Sequence, residues 1–309
     1  MVSHKPVNPR NDNFLFVHSF SITLIYGGVA SIIDTTVDVF NKIKHRYRYS
    51  LILLKQLVIT DFKLRYKGSV LGYVWTLLRP LALFAVLYVV FVHFLRIGAN
   101  VPHFAVYLLL GIVLWSYFTE VTNNGLSAIV GKGDLLRKLS FPRYVIVVAG
   151  SFSALINLLI NLVVIAIFMV INGVPFTLNI LWLIPLIGEL FIFALGLAFI
   201  LSALYVRFRD INYIWEVVLQ AGFYATPILY PITMVIEKST IAAQLMILNP
   251  VAQIIQDARY FVVTPESVTI ANLYSSPYIY VIPLVLVAVV AITGIWYFKK
   301  KSPSFAEEI

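Results

Sequence analysis

The stretch YVIVVAGSFSALINLLINLVVIAIFMVI, residues 144–171, decides the fold, because it contains no Asp, Glu, Lys or Arg. About 20 predominantly apolar residues are enough for a helix to cross the hydrocarbon core of a bilayer, so this stretch can cross with some tilt. Its apolar residues are continuous rather than alternating. Since backbone polar groups in lipid must be paired, this pattern favours a transmembrane helix over a strand of a barrel.

Five further stretches along the chain have the same character. They are residues 73–95, 104–124, 178–206, 211–230 and 278–298. The composition of the 309 residues agrees, with 61% hydrophobic and 12% charged residues and a mean hydropathy of +0.91. Soluble domains are about half apolar and about a quarter charged, so a water-soluble globular protein is excluded. We predict an all-α polytopic membrane protein with six transmembrane helices in residues 73–298.

The distribution of the 23 Lys and Arg residues predicts the orientation of these helices. Most of them precede the first span, lie in the second-to-third and fourth-to-fifth loops, or follow the last span. Only Arg96, Lys238 and Arg259 fall in the other loops, and Arg79 lies inside a span. Because cytoplasmic loops carry the excess of basic residues, both termini are predicted to be cytoplasmic.

Two segments precede the first span. Residues 1–49 read as a cytoplasmic or surface-lying extension, because the apolar residues of 14–33 are interrupted by polar ones and lack the features of a signal peptide. Residues 50–67 are predicted to form an amphipathic helix at the membrane interface, followed by a turn that ends at residue 72. This helix could be a basic anchor on anionic lipid or a platform for a cytoplasmic partner. Residues 299–309 are predicted to be a cytoplasmic tail.

The outer segment 231–277 is unusually apolar for a loop. Its apolar runs, 241–248, 251–255 and 260–263, are each too short to span a bilayer. Two short re-entrant helices hinged at Asn249 and Pro250 fit these lengths. With Pro227, these helices are predicted to form an apolar external gate; the alternative is a lid that only covers the assembly.

Motifs for catalysis are lacking. Gly125, Gly131, Lys132 and Gly133 approach a phosphate-binding loop but depart from its spacing and lack its Ser or Thr. The five His residues are scattered, and the chain has no Cys, which excludes disulfides and thiolate-metal sites. We therefore predict a non-enzymatic transport subunit that binds no metal or cofactor and does not hydrolyse ATP by itself.

Polar residues inside spans are costly and therefore informative. Arg79 and Glu120 lie at similar counted depths, which predicts an ion pair between them. Asn157, Asn161 and Glu189 lie deeper. For Glu189, a structural hydrogen bond and a proton-relay or substrate role both remain open.

Aromatic residues make up 15% of the chain, and several could line a sugar-binding path because an aromatic face stacks on a pyranose. Most aromatics in spans are expected to face lipid or form interface belts. The candidates for the path are Trp75, Phe84, Tyr88, Phe91, Phe223, Tyr224 and Tyr230.

Four motifs, in order, resemble the membrane subunits of bacterial polysaccharide ABC exporters, the group that handles O-antigen, teichoic acid and rhamnose glycans. They are DFKLRYKGSVLGYVWTLLRP (61–80), LLRKLSFPR (135–143), FRDI (208–211) and the dipeptide Asn249-Pro250. The resemblance implies a homodimer in the bacterial cytoplasmic membrane with two copies of a separate ATPase subunit, which carries ATP and Mg. It also implies export of a glycan linked to undecaprenyl diphosphate, and no nucleic-acid partner.

The resemblance assigns roles to particular residues. A site for the lipid diphosphate would include Arg65, Lys67, Leu71, Gly72 and Arg79. Coupling to the ATPase would involve Lys132, Asp134, Arg137, Lys138, Phe141 and Pro142. The alternatives are an exporter of small hydrophobic drugs or lipids and, from another class, a membrane enzyme acting on polyprenyl phosphates.

Overall fold

A computed structural model describes residues 50–61, 63, 72–98, 101–138 and 141–308, and these ranges contain helices and connections but no β-strand. The chain forms two compact units, residues 1–53 and 54–309. Of the first unit, residues 50–53 are described, and they are helical. The second unit carries the long apolar helices.

The helices are numbered in chain order. They are α1 (50–61), α2 (Trp75–Tyr88), α3 (Phe104–Ala128), α4 (Gly133–Lys138), α5 (Tyr144–Ile171), α6 (Leu183–Arg207), α7 (Ile211–Ala225), α8 (Thr233–Lys238), α9 (Thr240–Ile247), α10 (Pro250–Val262), α11 (Ile270–Leu273), α12 (Val281–Lys301) and α13 (Phe305–Glu308). A π-helical turn, Val89–Phe94, continues α2, and the 3₁₀ turns are Gly72–Val74, Val130–Lys132, Leu178–Trp182, Pro277–Tyr280 and Ser302–Ser304.

Five helical segments in the described residues are long and apolar enough to cross a membrane. They are Trp75–Phe94, Phe104–Ala128, Tyr144–Ile171, Leu178–Arg207 and Tyr278–Ser304. Each overlaps one of the six stretches that the sequence predicts. The all-helical class is therefore confirmed for the described part of the chain.

The remaining predicted span, residues 211–230, is a shorter helix than expected. α7 ends at Ala225, so its 15 residues extend about 22 Å at 1.5 Å per residue. Thr226 is extended, with φ −91° and ψ 137°, and it precedes Pro227. Proline disfavours the helical conformation of the residue before it, which explains why a single helix to Tyr230 is wrong.

The course of α7 follows from its contacts with α3. The ring of Trp215 lies against Phe118, and Phe223 lies against Trp115, closer to the beginning of α3. Further along the chain, the Arg259 side chain donates hydrogen bonds to the carbonyls of Pro227, Ile228 and Tyr107. α7 and the turn after it therefore run antiparallel to α3 and arrive beside its beginning.

The core of the bundle is α3, whose residues from Phe104 to Trp115 are buried without interruption. α3 packs against α2, α5, α6 and α10, while α12 packs along α6. Gly196 of α6 and Gly294 of α12 let these two backbones approach closely. A Cβ at Gly196 would lie 2.8 Å from Ala291 Cα, and one at Gly294 would clash with the Gly196 carbonyl. Small residues commonly mark such crossings in membrane bundles.

Segment 231–277 contains α8, α9, α10 and α11, and two of these helices, α9 and α10, meet at Asn249 and Pro250. α9 ends at Ile247, and the Asn249 side chain accepts a hydrogen bond of 3.0 Å from Val251 N at the start of α10. Pro250 occupies the first turn of α10, where its missing N–H has no cost. α10 is almost entirely buried and contacts α3, α6 and α12, so it belongs to the core of the bundle.

The α6–α12 crossing predicts a substitution effect. Gly294→Ala places a methyl group against the Gly196 carbonyl and should lower the free energy of unfolding by about 1–3 kcal/mol through overpacking. Thermal unfolding of the purified protein in detergent measures this. The control is Gly188→Ala in α6, where a Cβ meets no atom within 4 Å. Equal unfolding midpoints for the two variants would contradict the close approach.

Candidate functional site

The turn before α4 is fastened to α1 by an ion pair. Lys132 Nζ lies 2.9 Å from both carboxylate oxygens of Asp61, and each side chain is 25% exposed. Asp61 lies in the first of the quoted motifs, but its role was not apparent from the sequence. The pair joins the predicted interface helix to the predicted coupling loop.

The other predicted coupling residues lie around α4. Asp134 and Arg137 are exposed on α4, and Phe141 is half-buried against the main hydrophobic cluster. The Pro142 carbonyl accepts a hydrogen bond of 3.1 Å from Val145 N at the start of α5. The Lys138 side chain lies outside the described residues. α4 thus presents charges of both signs on a short helix between α3 and α5.

The predicted lipid-diphosphate site is described only in part. Arg65, Lys67 and Leu71 lie outside the described residues. Gly72 has φ +50° and opens the 3₁₀ turn before α2, a conformation in which L side chains are strained. Arg79 is exposed on α2.

The predicted ion pair between Arg79 and Glu120 is wrong. Among the described residues, the ion pair within 4 Å joins Asp61 and Lys132. Glu120 Oε1 instead accepts a hydrogen bond of 2.7 Å from Asn157 Nδ2. Counted depth fixes how far a residue lies along a span but not which side of the helix it occupies, so an amide of α5 meets Glu120 rather than the guanidinium of α2.

Asn161 lies one turn further along α5 and makes similar polar contacts. Its Nδ2 donates to the Asn157 carbonyl at 2.8 Å and to the Thr76 carbonyl at 3.3 Å. Asn157 and Asn161 therefore connect α5 to α3 and α2. This is the structural role that hydrogen-bonding side chains have between transmembrane helices.

Glu189 of α6 faces α10. It lies near Gln253 and Asp257. Gln253 Nε2 donates to Asp257 Oδ2 at 2.6 Å, while Glu189 Oε1 and Gln253 Oε1 are buried without a partner among the described residues.

Arg259 is the most buried charged residue of the described chain, with 0% exposure. Its Nε donates to the Tyr107 carbonyl at 3.0 Å, Nη1 to the Pro227 carbonyl at 2.6 Å and Nη2 to the Ile228 carbonyl at 2.7 Å. The guanidinium also stacks 3.6 Å from the centroid of the Tyr107 ring. A Cβ at Gly111 would lie 2.5 Å from Nη2, so the glycine provides room for the arginine. Charge counting had assigned Arg259 to an outer loop.

Of the predicted gate residues, Pro227 contacts Arg259 directly. Pro227 is buried and accepts its hydrogen bond, and Pro250 and Asn249 begin the helix that carries it. The turn after α7 and α10 are thereby held at the beginning of α3.

The predicted path aromatics fall into separate environments. Phe84 is 7% exposed and packs edge-on against Phe168 of α5, at 5.4 Å between centroids, so it is part of the core. Tyr88 and Phe91 are half-buried against the same core. Trp75 is 52% exposed on α2.

The aromatics near the end of α7 do come together. Phe223 lies 6.0 Å from Trp115 and packs edge-on against Tyr224, and the Tyr230 hydroxyl donates to the Tyr224 carbonyl at 2.8 Å. Tyr224 is 61% exposed. Trp115 was not among the predicted path residues, since its position depends on how α3 meets α7.

Comparison with known proteins places these features in a family. The family model described as ABC-2 type transporter matches residues 52–262. Two relatives named O-antigen export system permease protein RfbA, both from Klebsiella pneumoniae, are 33% identical over 220 residues, covering 71% of this chain and 83% of each relative. A relative of the same name from Myxococcus xanthus is 29% identical over 276 residues, covering 86% of this chain and 98% of the relative. The chain therefore belongs to the ABC-2 type transporter family.

Proposed function

We propose that this chain is the membrane subunit of an ATP-driven exporter that moves a lipid-linked cell-surface polysaccharide, such as O-antigen or teichoic acid, across the bacterial cytoplasmic membrane. The observation that carries the proposal is the similarity to O-antigen export permeases, which extends over 86% of the chain in the Myxococcus relative. The lipid carrier would be undecaprenyl diphosphate. ATP would bind, with Mg, to a separate ATPase subunit present in two copies.

The membrane is crossed six times, with both termini in the cytoplasm. Five crossings use the long helices, and the remaining one uses α7 together with residues 226–230. The arrival of this turn beside the beginning of α3 supports that assignment. α9 and α10 enter the outer leaflet as a re-entrant pair, which is consistent with the burial of α10.

Two copies of the chain enclose the glycan path, with α7 along its wall. Asn212, Glu216 and Gln220 are all exposed on α7, and their spacing of four residues places them on one helical face. Polar side chains within a membrane face a protein partner or a water-filled cavity rather than lipid. This polar face leads towards Tyr224 and Phe223, where sugar rings can stack.

The ends of the path have separate roles. Arg65, Lys67, Leu71, Gly72 and Arg79 receive the lipid diphosphate on the cytoplasmic side. The segment 132–142, including α4, contacts the ATPase and transmits its movement. On the outer side, Pro227, Asn249 and Pro250 belong to the gate that α9 and α10 form.

Deleting the gene that encodes this chain from its host tests the proposed function. Surface glycan should be lost and lipid-linked glycan should accumulate on the cytoplasmic side, because the polymer has no other route across the bilayer. Immunoblotting of surface and intracellular glycan, with and without plasmid-borne wild-type chain, measures both pools. Unchanged surface glycan together with lost efflux of a hydrophobic dye would indicate a small-molecule exporter instead.

The ion pair between Asp61 and Lys132 predicts a charge-swap result. Asp61→Lys and Lys132→Asp each place like charges together and should reduce glycan export, whereas the double exchange restores opposite charges and should recover much of it. The pair is partly exposed, so the coupling energy should be no more than about 1 kcal/mol. Glycan export per membrane-inserted chain is the measurement. A double variant no better than the worse single variant would show that the pair does not join α1 to the coupling segment.

A further inference from the structure

The segment after α12 folds back onto the bundle. α12 ends at Lys301, the 3₁₀ turn Ser302–Ser304 redirects the chain, and α13 begins at Phe305. A helix of four residues is not stable in isolation. The position of α13 must therefore come from its packing, and the Phe305 side chain is 1% exposed.

Three aromatic rings fix this segment to the bundle. The centroid of the Phe305 ring lies 5.3 Å from that of Phe298 in α12, and Phe298 lies 5.0 Å from Phe199 in α6. The Phe298–Phe305 pair has the edge-on geometry that aromatic rings favour. Through these contacts α13 is held against α6 and beside α4.

Among the described elements, α4 packs against α13 and the 3₁₀ turn Val130–Lys132. It is six residues long, and its large buried apolar residue is Leu136. The turn before it is tied to α1 through Asp61 and Lys132. Without such contacts a helix of this length would tilt or unravel, so α13 contributes directly to where α4 lies.

We propose that residues 302–308 form a clamp that positions α4 for coupling, with Phe305 as its anchor. The inference rests on the proposed role of α4 as the ATPase contact. A displacement of α4 by the ATPase moves the bundle only if α4 cannot tilt relative to the bundle. The clamp prevents this tilting. Because Phe305 is fixed to α6 and α12, the clamp also passes the displacement of α4 to these helices. Phe305 is thus a positioning residue.

The position of α4 can be measured by thiol labelling, since the chain contains no Cys. In inside-out vesicles holding the complex with its ATPase, Leu136→Cys should react slowly with maleimide because position 136 is buried. Adding Phe305→Ala should speed the reaction by about fivefold or more, and Phe305→Leu should restore protection. Phe176→Ala, a matched change at an exposed site in the loop between α5 and α6, should have no effect.

The same variants separate coupling from stability. With Phe305→Ala, glycan exported per ATP hydrolysed should fall by about fivefold or more, while the ATPase still co-purifies with the chain. Phe305→Leu should recover the ratio. An unchanged ratio, or continued protection at position 136, would overturn the clamp.

A further reporter detects general unfolding. Ala194→Cys lies in the middle of α6 with 0% exposure. If Phe305→Ala exposes this position as well as position 136, Phe305 supports the whole bundle, and the clamp as a local device is refuted. The labelling experiments do not require glycan. If the wild-type complex exports no glycan, the proposed function is refuted, whereas the labelling results still test whether residues 302–308 position α4.

Discussion

The buried guanidinium of Arg259 is the interaction on which the packing of α10, the beginning of α3 and the turn after α7 depends. The chain leaves α7 at Ala225, and residues 226–229 continue as buried, irregular backbone. Buried carbonyls outside a helix need donors, and in a bilayer water does not provide them. Arg259 donates to two of these carbonyls, of Pro227 and Ile228, and to that of Tyr107. One side chain thus joins the α7 turn, α3 and α10.

Burying this charge has a cost of several kcal/mol, and the described surroundings offset it without a carboxylate. Three hydrogen bonds from a charged donor and a cation–π contact with Tyr107 replace the lost hydration. Removing the arginine would leave the Pro227 and Ile228 carbonyls without these donors. The same interaction allows α7 to end early, at a turn that contains Pro227. It also places the proposed gate helix α10 within the core of the bundle.

Around α4, packing rather than a buried charge determines position. α4 is too short to place itself, and it lies between the Asp61–Lys132 pair and the aromatic contacts of Phe305. α6 contacts both α10 and α13. These contacts form a continuous packed connection between α13, which lies beside α4, and α10.

The sequence predicted what depends on local composition. Long apolar runs predicted the five long helices, and Asn249-Pro250 correctly marked the start of α10. The end of α7 was missed because the apolar run continues past Thr226 and Pro227, although proline interrupts the helix there. The Arg79–Glu120 pair failed because depth does not specify helix face. Arg259, Asp61 and Phe305 were not recognised because their roles arise only from tertiary contacts with residues distant in the chain.

Cysteine accessibility tests the role of Arg259 most directly. Ala252→Cys lies on the buried side of α10, and Ile241→Cys lies at an exposed position of α9. With a membrane-impermeant maleimide applied to intact cells, the account predicts labelling at position 241 and protection at position 252. Arg259→Met, which keeps the bulk but removes the donors, should raise labelling at position 252 by about tenfold. Equal labelling of both positions in the arginine-containing protein, or continued protection in the methionine variant, would contradict the account.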